Sequence, residues 1–341
     1  MNIIVTGGAG FIGSNFIYYL LENRSDWNIT VIDALTYAGN FENISSLYDD
    51  EKIDFIKANI CDDQKINRIF EDKKPDYVVN FAAETHVDRS ILSASEFIKT
   101  NVLGTQVLLD ASLKHNVKRY LQISTDEVYG ALGNDGSFYE TTPLNPSSPY
   151  SASKASADLL VLSYFRTYKM DVCVTRCTNN YGPYQFPEKF IPLFLTNALE
   201  DKDLPLYGDG MNVRSWIHVM DHADAVLKVL ENGRPGEVYN IGGSKDAEIP
   251  NKVVAEEILK IIHKPVTLIK FVKDRPGHDF RYSVDTTKIQ NELKWTPKIN
   301  FEDGLKNTIK WYQDNEPWWR KIKNAEYQSY YALNYESKFT S

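Results

Sequence analysis

Asn2-Ile3-Ile4-Val5-Thr6-Gly7-Gly8-Ala9-Gly10-Phe11-Ile12-Gly13 is the stretch that decides the fold. The first five residues are a short, largely β-branched run, and the glycines that follow contain a Gly-x-Gly-x-x-Gly match. Phe16, Ile17, Leu20 and Leu21 then recur at helical spacing. Strand, glycine turn and helix in succession give the glycines a purpose. The chain must turn tightly, let a pyrophosphate approach, and pack helix on strand. The helix opening at Phe11 and Ile12 presents unpaired N–H groups and the positive end of its dipole to that anion.

Working outward, Ile29-Thr30-Val31-Ile32 predicts a second strand ending at Asp33, 20 residues beyond Gly13. A carboxylate there can accept hydrogen bonds from ribose hydroxyls and repels a 2′-phosphate. Ala34, Leu35 and Thr36 follow with no arginine among them, so NAD is favoured over NADP. Further strands are predicted at Asp54–Ile56, Tyr77–Phe81 and Arg119–Ser124, alternating with helices at 66–70 and 97–114. Asn59 and Ile60 follow the first of these strands. Phe81 leads into Ala82 and Ala83, small residues where a cofactor can pass close. This alternation predicts an α/β fold: a doubly wound parallel sheet of the Rossmann kind, whose ligands lie beyond the carboxyl ends of the strands.

The whole chain has 341 residues, a net charge of −8 and 25% charged residues, which suits a globular protein of more than one lobe and argues against general nucleic-acid binding. We expect a Rossmann domain over 1–178 with a returning segment near 215–242. A smaller α/β substrate-binding domain is expected over 179–214 and 243–320, with a tail at 321–341. No apolar run is long enough to span a bilayer, and three scattered cysteines make no disulfide framework. A cytoplasmic setting is expected.

Chemistry enters at Thr125-Asp126-Glu127, at the end of a predicted strand, and at Tyr150-Ser151-Ala152-Ser153-Lys154. Tyr150 and Lys154 are four apart and share one helix face. A phenol titrates near pH 10, and a neighbouring ammonium favours its ionised form. Tyr150 is then a base for a sugar hydroxyl while hydride leaves the same carbon. A chain with 21 tyrosines should hold such a pair by chance roughly once or twice. Tyr48 and Lys52 are the decoy, in an acidic loop remote from any strand end. Asp126 and Glu127 are bounded by Ile123 and Val128, unlike a charged surface run. Two carboxyls in one desolvated site split their pKa values, leaving one an acid and the other a base, as removal of water requires.

Further on, Arg214 and the loop with Arg275, His278 and Arg281 carry guanidinium groups that suit phosphate oxygens, although each taken singly reads better as a surface ion pair. His218 and His222 have metal-like spacing but no evident third ligand, so a helix entry near Asp221 is the better reading and no metal is expected. The aromatic run Trp311, Tyr312, Trp318 and Trp319 reads as helix packing.

With these residues assembled, the chain resembles the extended short-chain dehydrogenase/reductases, and among them the nucleotide-sugar 4,6-dehydratases. The resemblance runs from Met1 to about Trp319. It rests on TGGAGFIG (6–13), AAETHVDRS (82–90), STDEVYG (124–130), PYSASKA (149–155), NNYGPYQFPEKFIPLF (179–194) and DRPGHD (274–279). It implies NAD as a cofactor that is never released and dTDP-glucose as substrate. UDP-glucose dehydration or 4-epimerisation of a nucleotide sugar are the alternatives, and Asp126-Glu127 argues against an epimerase. The roles implied are Tyr150 as base at C4, Lys154 on the nicotinamide ribose, Glu127 as base at C5, Asp126 as acid at the C6 hydroxyl, and Thr125 near C4. Phe11, Ile12, Ala82, Ala83, Thr100 and Asn180 are implied for NAD. Thr85 is implied for the sugar, and Asn179, Lys189, Phe190 and Arg214 for the nucleotide. Pro205, Leu206 and Tyr207 would lie beside the base, with Arg275 and His278 along the pyrophosphate. Asn59 stands where the family usually has aspartate, and Phe280 where a second arginine is common. A nucleotide-contacting asparagine falls at Pro250 or Asn251, depending on a one-residue gap. A homodimer formed through the helix 97–115 and the Tyr150 helix is also implied.

Overall fold

The structure, a computed structural model, describes residues 1–274 and 278–323. Its strands are β1 (Asn2–Thr6), β2 (Asn28–Asp33), β3 (Asp54–Lys57), β4 (Tyr77–Asn80), β5 (Arg119–Thr125) and β6 (Val172–Cys177). They continue with β7 (Asn179–Tyr181), β8 (Leu204–Tyr207), β9 (Val213–His218), β10 (Val238–Ile241), β11 (Glu248–Pro250) and β12 (Ile269–Val272). Seven of them make one sheet in the order β10-β6-β5-β4-β1-β2-β3, every pairing parallel. The chain order reverses between β1 and β4, and a ligand crevice is expected outside the strand ends at that switch point.

Parallel strands are covered on both faces, so the central ones read as nearly unbroken apolar runs. Ile4 and Val78 point into a core with Leu108 and Tyr164, while Val5, Val79 and Leu121 face Phe16, Ile17 and Val226 on the other side. All seven residues of β5 are buried. The helix Pro149–Tyr168 packs against β5 and β6 and starts where the sequence predicts, because Ser148 and Ser151 form a capping box and Pro149 occupies the first turn.

A second core, built on Phe194, Leu206, Trp216, Ile258, Tyr312 and Trp319, lies under the smaller sheets. β9 lies between β7, parallel to it, and β11, antiparallel; β8 pairs with β12. The single helix predicted from residue 97 begins at Ser95 and contains a π-helical turn over Ile98–Leu103. Such turns concentrate at functional sites. Here the turn buries Asn101, whose amide holds Glu84 N and O (2.9 and 3.0 Å) and Ser153 Oγ (2.8 Å). Among the described residues, no helix is long and apolar enough to cross a membrane.

Candidate active site

A cleft of about 300 Å³ runs along the carboxyl ends of the main sheet, from the glycine turn to the start of the Tyr150 helix. At the turn, Gly7 has φ +69°, and a Cβ there would lie 2.6 Å from Ala82 N. A Cβ on Gly13 would meet Gly7 O at 2.3 Å. Backbone approaches this close admit only glycine. The helix Phe11–Asn23 begins at Gly10 without a side-chain cap. Asp33 Oδ2 accepts from Ala9 N (3.0 Å) and Oδ1 from Leu35 N (2.8 Å), so its carboxylate is oriented before any ribose arrives. Burial raises its pKa against those two bonds. Gly10, Phe11, Ile12, Ala34, Thr36, Asn59, Ile60, Phe81, Ala82, Ala83 and Thr100 also line the cleft. A glycine cradle, an oriented acid and an uncapped helix start fit a dinucleotide such as NAD.

The other end of the cleft is walled by Thr125, Asp126, Glu127, Tyr150 and Lys154, with Thr85, Asn179, Asn180 and Lys189 beside them. Thr125 closes β5 and caps the short helix Asp126–Tyr129 through Glu127 N (3.3 Å). This cap places the two acids at a strand end. Asp126 is 1% exposed, and its Oδ1 accepts from Thr125 Oγ1 (3.3 Å). Burial, reinforced by Glu127, pushes its carboxyl up to about 8. It is therefore protonated at neutral pH, as an acid for a leaving hydroxyl must be.

Tyr150 behaves differently from the expectation drawn from its lysine. Burial, Glu127, Cys177 and Asp126 all hold the phenol well above its ordinary value. Lys154 Nζ donates instead to Ile123 O (2.6 Å), and burial pulls the ammonium below its usual range. Asp158, one turn further along, is the largest opposing influence on that ammonium. Asp158 is in turn ion-paired with Arg176 at 2.9 Å, with side chains 0% and 3% exposed.

Glu188 lines the same cleft, although its sequence position beside Lys189 was its only signal. Its carboxyl lies 3.8 Å from His86 Nε2 and 3.7 Å from Arg89, whose guanidinium covers the Tyr37 ring at 4.1 Å. Burial pushes this carboxyl up to about 7, against Lys189 and Arg89. Glu84, Gln185, Phe186, Cys177 and Thr178 are further lining residues that the sequence did not single out.

Other residues chosen from the sequence lie outside the cleft lining. Leu35 contributes its N–H to Asp33. The Phe190 ring stacks toward Trp216. Leu206 is 1% exposed within the second core. Tyr207 sits edge-on to His278, which is paired with Asp274 at 2.6 Å. Arg214 lies over Tyr282 and donates to the carbonyls of Val213, Asp279 and Phe280, yet its charge still acts on Asp126. Pro205 lies in β8, and Asn251 opens the helix Asn251–Ile261. Arg275 falls outside the described residues. Asn180 reaches the cleft, but its amide is engaged by His222, Thr178 O and Cys177 Sγ. His218 caps the helix Val219–Asn232, in keeping with the helix-entry reading. The decoy Tyr48 is 46% exposed, far from this chemistry.

Fold and site together are those of a dinucleotide-dependent enzyme acting on a hydroxyl-bearing carbon. The chain belongs to the GDP-mannose 4,6 dehydratase family, whose model matches residues 4–308. It is 49% identical over 330 residues to a dTDP-glucose 4,6-dehydratase of Streptomyces niveus, covering 96% of this chain and 97% of the relative. The structure of DesIV, a dTDP-glucose 4,6-dehydratase from Streptomyces venezuelae solved with NAD bound, superposes with a TM-score of 0.91 at 47% identity, covering 95% of this chain and all of that one. A UDP-glucose 4-epimerase of Thermotoga maritima shares the fold (TM-score 0.85, 93% of this chain and 100% of that one) at 32% identity.

Proposed function

We propose that this protein dehydrates dTDP-glucose to dTDP-4-keto-6-deoxyglucose with resident NAD. The observation that carries this reading is Asp126: a buried carboxyl held protonated, beside Glu127, in the wall that also holds Tyr150. An epimerase expels no water and needs no such acid.

Tyr150 takes the proton of the C4 hydroxyl, with Thr125 hydrogen-bonding nearby. Burial holds the Tyr150 phenol high in the protein alone, so the positive nicotinamide of bound NAD would have to lower it for this step. Lys154 is the cation that the chain supplies one helical turn away, and it faces the cofactor ribose. Bound NAD supplies the two-electron oxidation at C4 and the matching reduction at C6, with no net redox change. The 4-ketone acidifies the C5 proton, which Glu127 removes. Asp126 gives its proton to the C6 hydroxyl as the C–O bond breaks, and water departs; as C6 is reduced, Glu127 returns a proton, exchanged with solvent, to C5. Thr85 contacts the sugar. Asn179, Lys189, Phe190, Arg214, Asn251, Arg275 and His278 serve the nucleotide, with Pro205, Leu206 and Tyr207 beside thymine. Apart from Thr85, these residues come from the segments 179–214 and 243–320, which we assign as the substrate-binding domain.

The test is incubation of purified protein with dTDP-glucose and, separately, UDP-glucose, without added NAD. An alkali-absorbing 4-keto product from dTDP-glucose supports the reading. A 4-epimer from either sugar, or no turnover at all, overturns it.

The protein works as a homodimer in this reading. Ile98 and Leu103 on the stretch 95–114, and Leu159 on the helix Pro149–Tyr168, are 49%, 47% and 57% exposed, a costly apolar surface for a monomer. Sedimentation should give twice the chain mass, and Leu103→Lys should shift it toward one. A cytoplasmic location suits the three free cysteines, two of them buried.

A further inference from the structure

The helix Glu316–Ile322 lies on the substrate-domain core, yet one of its tryptophans is hydrogen-bonded into the cofactor half. Trp318 Nε1 donates to Asn43 Oδ1 at 2.9 Å, across 275 residues of sequence. Asn43 Nδ2 donates to Ala9 O at 2.9 Å, and Ala9 N donates to Asp33 Oδ2 at 3.0 Å. Ala9 O also accepts from Asn40 N at 3.0 Å. An indole can only donate and a carbonyl only accept, so the orientation of the Asn43 amide is fixed by its two partners. Asn43 is 1% exposed and Ala9 is 0% exposed, so water cannot replace a lost partner without opening the structure.

Ala9 sits inside the glycine turn, and Asp33 is the ribose acid. The chain of bonds therefore ends on both elements that hold a dinucleotide. We infer that Trp318, acting through Asn43, is a positioning residue that holds the glycine turn and Asp33 in their cofactor-binding geometry, so that retention of NAD between turnovers depends on the C-terminal helix. This rests on the cofactor part of the reading above and not on the dehydration chemistry. It also gives the tryptophan run a role beyond packing. Trp318 does lie against Trp311 (5.1 Å) and Tyr184 (5.9 Å), but packing alone needs no indole N–H aimed at Asn43.

The test uses full-length protein loaded with NAD and follows cofactor release by dilution into a trap for free NAD. Trp318→Phe keeps the ring and removes the donor. Release should quicken about tenfold, the worth of one buried hydrogen bond whose acceptor is stranded. The KM for added NAD should rise, while kcat at saturating NAD stays within about twofold. Asn43→Asp, which accepts from Trp318 but cannot donate to Ala9 O, should release NAD at least as fast, and it provides an independent variant should Trp318→Phe fold poorly. Lys321→Ala cuts only the surface pair with Glu42 (2.8 Å) and should leave release unchanged. Release within twofold of the parent in both Trp318→Phe and Asn43→Asp, even with a lowered melting point, overturns the inference. If the unaltered protein fails to hold NAD, the cofactor reading falls together with it.

Discussion

Asp126→Asn separates the acid role from the folding cost of that acid. In the folded protein the carboxyl titrates at about 8, against 3.8 in the absence of its surroundings, with burial the largest cause. The folded state therefore binds a proton that the unfolded state has released throughout that window. Stability must fall as pH rises from near 4 to near 8, because the unfolded chain binds fewer protons there. At 1.36 kcal/mol per pH unit, the span from 3.8 to pH 7 sets a ceiling of about 4 kcal/mol on the penalty at neutrality. Asparagine has the shape of the protonated acid and carries no such penalty. Urea unfolding of both proteins from pH 5 to 9 at saturating NAD should show Asp126→Asn gaining relative to the parent up to pH 8, then levelling. Its product formation should fall about 10²–10⁴-fold. A stability difference that does not change with pH would refute the protonated assignment, and near-parental turnover would refute the acid role.

Other outcomes follow from the same geometry. Glu127→Gln should leave oxidation at C4 observable as a transient reduced-cofactor absorbance while blocking loss of water; normal product yield would contradict the base assignment. In the parent enzyme, the dehydration rate should decline tenfold per pH unit above about 8 as Asp126 ionises, read from single-turnover profiles. Arg176→Met strands the fully buried Asp158 carboxylate and should cost about 3–5 kcal/mol in denaturant unfolding, far more than an exposed pair would. Gly13→Ala forces a Cβ against Gly7 O, so purified protein should carry little NAD even where it remains folded.

What was legible in the sequence was what local pattern controls. β1, the glycine turn and Asp33 lie within 33 residues and obey a spacing set by one βαβ unit. The acids at the end of β5 could be found because a strand end is also a ligand edge. What escaped was set by contacts between distant segments. Glu188 is buried beside His86 and Arg89, about a hundred residues away in sequence, and because burial is what raises its carboxyl, no local mark showed it. The π turn at Ile98–Leu103 keeps the apolar pattern of an ordinary helix while rotating Asn101 inward. The lysine beside Tyr150 looked like its electrostatic partner, yet its ammonium is bonded to Ile123 O, and burial, reinforced by the neighbouring Glu127, holds that phenol high. The brace that holds Arg214, its bonds to backbone carbonyls and its stacking on the Tyr282 ring, also left no local mark. Such bracing depends on strand register, which composition does not encode.

The most direct measurement is the fate of hydrogen at C4. With dTDP-glucose deuterated at C4 and turned over in ordinary water, the account requires the label at C6 of the same product molecule and solvent hydrogen at C5. Deuterium lost to water, returned to C4, or transferred between different sugar molecules would contradict it.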